Sequence, residues 1–138
     1  WKWQFGKIDV LKKGSKIALL GTGAAVQECA VAAEELSKAG IEVTVVNVSS
    51  LKPFDNSGII QLAKEHQALV TVEDHYVIGG LGSAVCEALA ELGTESKAKV
   101  IRLGVQDEFG ESGEPVELYE KFGFSSKKIA EIVKTLIR

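Results

Sequence analysis

The sequence predicts one α/β domain of the doubly wound kind, three layers (α/β/α) around a mostly parallel sheet of about five strands. Two observations carry that prediction. Short apolar runs, several of them rich in β-branched residues and all too short for helices, recur near 17–20, 43–48, 68–72 and 99–103. Between them lie longer stretches whose apolar residues fall at helical spacing, so strands alternate with helices, as right-handed parallel crossovers require. At 138 residues and 46% hydrophobic content, the chain has enough material for one core.

Taken in order, residues 1–15 read as a leader and edge strand, and residues 16–138 as the domain proper. Ile8-Asp9-Val10-Leu11, followed by Lys12-Lys13-Gly14-Ser15, has the form of an edge strand and turn, with lysines that discourage further pairing. Lys16-Ile17-Ala18-Leu19-Leu20, closed by Gly21-Thr22-Gly23, is the first core strand. Residues 24–39 place Ala25, Val26, Cys29, Ala32, Ala33 and Leu36 on one helical face, with Gly40 as the stop. Val43 to Val48 is strand-like, Pro53 breaks the chain, and a helix starts near Asp55 and runs through Ile59, Ile60, Leu62 and Ala63. Ala68 to Val72 is a third core strand, Gly82 to Leu92 a helix, and Lys99 to Leu103 a fourth strand. Two tail helices, about 114–122 and 126–138, flank Gly123-Phe124-Ser125.

Composition removes several function classes. Sixteen basic and 19 acidic residues leave a formal charge of −3, without the clustered Lys and Arg that nucleic acid requires. No apolar run approaches the roughly 18–20 residues that span a bilayer, and no signal-peptide pattern opens the chain, so a cytoplasmic protein without membrane association is expected. Cys29 and Cys86 both fall among Ala and Val in helical segments and are expected to be reduced, buried, small hydrophobes. The absence of methionine suggests a piece of something longer. Trp1-Lys2-Trp3-Gln4-Phe5 points the same way, because these aromatics need cover, either from a preceding domain or from their own sheet.

In an open parallel sheet, ligands bind beyond the carboxyl ends of the strands. That rule selects Thr22 and Gly23, Asn47 and Ser49, Glu73, Asp74 and His75, and Gln106 and Asp107. Amides opening the helices after Gly23 and Gly82 could hold an anion. A dinucleotide fingerprint is incomplete at both places: neither Val26 nor Gln27 supplies the third glycine after Gly21-x-Gly23, and Val85 stands there after Gly80-x-Gly82. Asn47 replaces the acidic ribose partner. Glu73, Asp74, His75 and Asp107 could be drawn as a metal or acid/base cluster, but a His beside acids in a loop is more often simply hydrogen-bonded. Ser83 and Ser112 lack the elbow that exposes a serine nucleophile. No catalytic, cofactor-binding or metal-ligating residue is assigned; the candidate crevice or interface residues are Thr22, Gly23, Glu73, His75, Gly79, Gly80 and Gly82.

Two blocks carry a resemblance: Glu73-Asp74-His75-Tyr76-Val77-Ile78-Gly79-Gly80-Leu81-Gly82-Ser83-Ala84-Val85, and Phe109-Gly110-Glu111-Ser112-Gly113 followed by Glu117-Leu118 and Phe122-Gly123-Phe124. Together they resemble the C-terminal domain of transketolase. The first block and Leu51-Lys52-Pro53-Phe54-Asp55 are shared with deoxyxylulose-phosphate synthase and the β chains of 2-oxoacid dehydrogenases. The combination looks most like the C-terminal subunit of a split bacterial transketolase, from about Gly6 onward.

The resemblance implies a Rossmann-like domain inside a thiamine-diphosphate-dependent enzyme that transfers two-carbon ketol units between sugar phosphates, as in the pentose phosphate pathway. It implies that thiamine diphosphate and magnesium belong to the complete enzyme and that this domain binds neither. The family's Gly-Asp-Gly and Asn motif and its cofactor-activating glutamate are absent from this chain. The implied partners are the pyrophosphate- and pyrimidine-binding domains of the same enzyme, in an assembly that is a homodimer; the isolated domain is expected to be inactive. Gly79, Gly80 and Gly82, beside His75, would let a neighbouring domain approach closely, or would serve only a tight turn. A regulatory small-molecule site in the crevice is a further possibility, and a free-standing anion or nucleotide binder is the alternative outside this superfamily.

Overall fold

In the computed structural model, which describes residues 3–91 and 98–137, the chain runs β1 (Asp9–Lys12), β2 (Ile17–Gly21), α1 (Ala25–Lys38), β3 (Thr44–Asn47), α2 (Asn56–Glu65), β4 (Ala68–Tyr76), α3 (Leu81–Glu91), β5 (Lys99–Val105), α4 (Pro115–Phe122) and α5 (Ser126–Leu136). The strands form one sheet in the order β1-β3-β2-β4-β5. β2, β3, β4 and β5 are parallel, and β1 joins the edge antiparallel to β3 with a register irregularity between Val10 and Lys12. The predicted edge strand is thus hydrogen-bonded into the sheet.

β2 is central, and all five of its residues are buried. Strand alternation then divides the core. Ile17 and Leu19 face a cluster built with Cys29, Ala32, Leu36, Val70, Val72, Phe124, Ile129 and Val133, which carries α1 and α5. Ala18 and Leu20 face the opposite cluster, with Val46, Ile59, Leu62, Leu69, Leu81 and Val85, which carries α2 and α3. Three layers result, as the alternation of strands and helices predicts.

Small residues on α1 bring α5 close, and charged groups fix the pair. Glu28 of α1 accepts a hydrogen bond at 2.6 Å from the Ser126 amide that opens α5, and Lys134 meets Glu35 at 3.2 Å. Ser125 caps α5, accepting from the Lys128 amide at 3.3 Å.

The segment before β1 folds back on the loop that precedes α2. Asp55 caps α2 by accepting from the Gly58 amide at 3.2 Å, and it also accepts from Lys7 Nζ at 2.9 Å, the Ile8 amide at 3.2 Å and the Ser57 hydroxyl at 2.9 Å. Burial would push its carboxyl up, but these four donors outweigh burial and hold it below the usual carboxylate range. The Lys52–Pro53 peptide in this loop is cis. Trp3 donates from Nε1 to Ser49 Oγ at 3.4 Å, and its ring lies 6.2 Å from that of Phe5. Own-chain cover is only partial, since Trp3 stays 54% and Phe5 65% exposed.

At the amino ends of the strands, a buried polar chain links three elements. The Gly14 amide donates to Thr44 Oγ1 at 3.0 Å, Thr44 Oγ1 and His66 Nε2 are 2.8 Å apart, and His66 Nδ1 lies 2.8 Å from the Leu62 carbonyl. A carbonyl can only accept, which assigns a proton to Nδ1; in the neutral ring Nε2 then accepts from the Thr44 hydroxyl. His66 at the helix end is therefore a structural residue.

One expectation is corrected. Cys29 is buried, and burial, with a smaller contribution from Glu28, pushes its thiol up to about 12. Cys86 is exposed. The inward face of α3 is Leu81, Val85 and Ala88, and Cys86 is turned about 100° from Val85 at 3.6 residues per turn. Leu89 and Ala90 share its side of a segment apolar on most sides, so periodicity alone could not separate the faces. Native protein at pH 8 is accordingly expected to give one rapid thiol equivalent with a chromogenic disulfide reagent and a second only in denaturant. Rapid reaction of both would contradict the burial of Cys29.

Candidate functional site

The chain leaves β2 for β3 on one side and leaves β4 for β5 on the other, so the crevice of this fold lies between the carboxyl ends of β2 and β4. Backbone bonds draw this end together. Thr22 donates its amide to the Val72 carbonyl at 3.3 Å, and Val48 donates to Gly21 at 2.9 Å. Gly23 is exposed, with φ of 58°.

β4 runs past its predicted end at Val72, to Tyr76, and β5 past Leu103 to Val105. Val72 is paired with Leu103 and Tyr76 with Val105, so β4 spends four residues where β5 spends two. The surplus forms a bulge at Glu73-Asp74-His75 that re-aims those side chains. Gly104 lies opposite, where a Cβ would sit 2.7 Å from the His75 carbonyl oxygen and 2.9 Å from that of Glu73.

Glu73 is only 1% exposed. Its Oε2 accepts from the Leu81 amide at 2.7 Å and its Oε1 from the Gly82 amide at 3.0 Å. These amides open α3, where the free N–H groups and the helix dipole favour negative charge. Glu73 therefore occupies from within the chain a helix end that could otherwise hold an anion. Gly80 is needed here because a Cβ would collide with the Glu73 carboxylate.

The loop above is wired to the same unit. Gly79, with φ of 77°, donates its amide to Ser83 Oγ at 2.9 Å, Ser83 donates its hydroxyl to the Val77 carbonyl at 3.0 Å, and Arg102 donates to that carbonyl at 3.2 Å. With its proton given to a carbonyl, Ser83 is not an activated nucleophile.

The other selected residues scatter. His75 is exposed, with Nδ1 2.8 Å from the Tyr76 carbonyl. Asp74 accepts the Tyr119 hydroxyl at 2.9 Å; burial, reinforced by that bond and by the charges of Asp74 and Glu28, pushes the phenol up. Asn47 turns toward Asp9 of β1 at 3.4 Å, and Gln106 donates to the Gly104 carbonyl at 3.2 Å. Asp107 lies with Tyr76, Glu108 and Phe109 around a shallow depression of about 210 Å³. The structure thus joins Glu73, Gly80 and Gly82 in one internal unit, while Thr22, Gly23, His75 and Gly79 reach the surface. Among the described residues, no group of three or more His, Cys, Asp or Glu could hold a metal ion. The capping role of Glu73 escaped the sequence reading; its one signal was a carboxylate directly ending an apolar strand, eight residues before Leu81.

Fold and site define a class: a doubly wound α/β domain whose strand ends are stitched by backbone and whose α3 start is capped by its own carboxylate. The chain belongs to the transketolase C-terminal domain family, whose model (Transketolase, C-terminal domain) matches residues 6–129. Over 128 residues it is 42% identical to a 6-deoxy-6-sulfo-D-fructose transketolase subunit, SqwH, of Clostridium sp. (strain MSTE9), covering 93% of this chain and 39% of that protein. It is 38% identical over 132 residues to a 1-deoxy-D-xylulose-5-phosphate synthase of Dehalococcoides mccartyi, covering 96% of this chain and 21% of the synthase. A split-gene transketolase solved as an inactive β4 tetramer superposes with a TM-score of 0.87 at 38% identity, covering 98% of this chain and 43% of that one. The chain spans about two fifths of its split-subunit relatives and about a fifth of the synthase.

The α3 amides that could meet a diphosphate are held by Glu73, and no ligand cluster for a divalent ion stands among the described residues.

Proposed function

We propose that the chain is the C-terminal domain of a thiamine-diphosphate-dependent transketolase and that it serves assembly, while other domains carry the two-carbon ketol transfer between sugar phosphates. The observation that carries this reading is the Glu73 cap: the first amides of α3, one of the two helix starts at the carboxyl end of the sheet, are held from inside, in a chain whose split-subunit relatives are transketolases. On this reading, thiamine diphosphate and magnesium are bound by the pyrophosphate- and pyrimidine-binding domains of the same enzyme. The complete assembly is a homodimer acting in the cytoplasm on pentose phosphates. No helix among the described residues is long and apolar enough to cross a membrane. Of the candidate interface residues, Thr22, Gly23, His75 and Gly79 are at least partly exposed and on this reading would meet a neighbour, while Glu73, Gly80 and Gly82 are buried beneath them.

The test is ketol transfer from xylulose 5-phosphate to ribose 5-phosphate, with thiamine diphosphate and magnesium. The chain is assayed alone and then mixed with the cofactor-binding portion of the enzyme. Activity is expected only in the mixture; activity from the chain alone would refute the assignment. A well-assembled, inactive mixture would favour deoxyxylulose-phosphate synthase, the second reading, which rests on the 38% identity to that enzyme.

A further inference from the structure

The loop after β5 presents an apolar side chain that none of the described residues covers. Phe109 is 96% exposed, Tyr76 beside it 42%, and Ile78, two residues beyond Tyr76, 64%. Tyr76 and Phe109 share the walls of one depression with Asp107 and Glu108, and neither of those carboxylates is paired among the described residues. A phenyl ring fully in water, with an aromatic neighbour and a charged rim, has the make-up of an interface anchor.

We infer that this face docks a cationic surface on the cofactor-binding portion of the same enzyme, with Phe109 as the apolar anchor and Asp107 and Glu108 meeting Lys or Arg. The inference rests on the proposed function for the identity of the partner. Charge selects that partner over a second copy of this chain. In a two-fold contact centred on the patch, Asp107 and Glu108 of both copies would come together around two buried phenyl rings, which is a repulsive arrangement. A basic partner turns the same carboxylates into attraction. Length agrees, because in the split-subunit relatives more than half of the protein lies outside the part this chain matches.

The test places a photoreactive phenylalanine analogue at position 109 and, as a control, at Val31, exposed on α1. Each protein is mixed with the cofactor-binding portion, irradiated, and mapped by mass spectrometry. Binding is also titrated for Phe109→Asp and for the double variant Asp107→Lys/Glu108→Lys. Cross-links from position 109 to a Lys- or Arg-bearing segment of that portion are expected, with none from position 31. Both variants should bind at least tenfold more weakly while unfolding at the same temperature as the parent, since Phe109 packs on almost nothing. Cross-links from 109 to a second copy would overturn the inference, as would wild-type affinity of Phe109→Asp in a mixture that assembles and transfers ketol units; that result would leave the assembly role standing. Failure of the parent chain to assemble at all would remove both.

Discussion

Glu73→Ala is expected to lower the unfolding free energy by about 2–6 kcal/mol, because it strands two buried amides at roughly 1–3 kcal/mol each. The amides are those of Leu81 and Gly82, now held at 2.7 and 3.0 Å. Glu73→Gln should cost about half as much: its carbonyl oxygen still accepts from one amide, but its NH2 opposes the other. Urea unfolding at neutral pH measures both, with an unchanged m-value identifying a loss of stability alone. In the alanine variant the vacated site offers two N–H groups at a helix start, so tens of millimolar acetate should recover part of the loss and leave the parent unaffected. An alanine variant within about 1 kcal/mol of the parent would mean that water satisfies those amides as well as the carboxylate does.

Phe124→Ala is expected to cost about 4 kcal/mol, within the range for emptying a buried phenylalanine site. Phe124 is fully buried, its ring lies 4.8 Å from that of Tyr119, and it joins α4 and α5 to the cluster under α1. The backbone bond from its amide to the Tyr119 carbonyl at 3.0 Å does not depend on the side chain, so the local turn should persist while packing is lost. Thermal and urea unfolding would report this. A smaller loss with a reduced m-value would instead indicate that α4 detaches in the folded state.

These two residues differ in how far the sequence announced them. Phe124, beside a glycine between two helical stretches, lies in a segment whose pattern is local, and the strands and helices around it were legible for the same reason. Ile17 to Leu20 reads as a central parallel strand because both faces are covered and no polar residue interrupts it. Glu73 was read as a crevice residue because it follows such a strand, but its partners are set by a bulge that only the pairing with β5 reveals. Alternation cannot foretell a bulge. Cys86 was misplaced because α3 is apolar on several sides, and only the packed sheet decides which side turns inward. The docking of Lys7 and Ile8 on Asp55, 48 and 47 positions away, had no local trace. Phe109 was noticed only within a motif; its exposure is a property of the folded loop.

The hydrogen bond from Ser126 to Glu28 spans 98 positions, and it has a bearing on how the protein is made. At about 5–20 residues per second, a ribosome needs roughly 5–20 s to travel between those two residues. The α2 and α3 side of the sheet can close as soon as β4 and α3 have emerged. The opposite side cannot, because Ile129, Ala130 and Val133 of its last covering helix are still untranslated. For those seconds, a nascent chain holding a formed sheet would display Cys29, Ala32 and Leu36 on α1 as a bare apolar stripe, a ready target for chaperones. The amino-terminal helix thus waits on the carboxyl-terminal one to complete its fold.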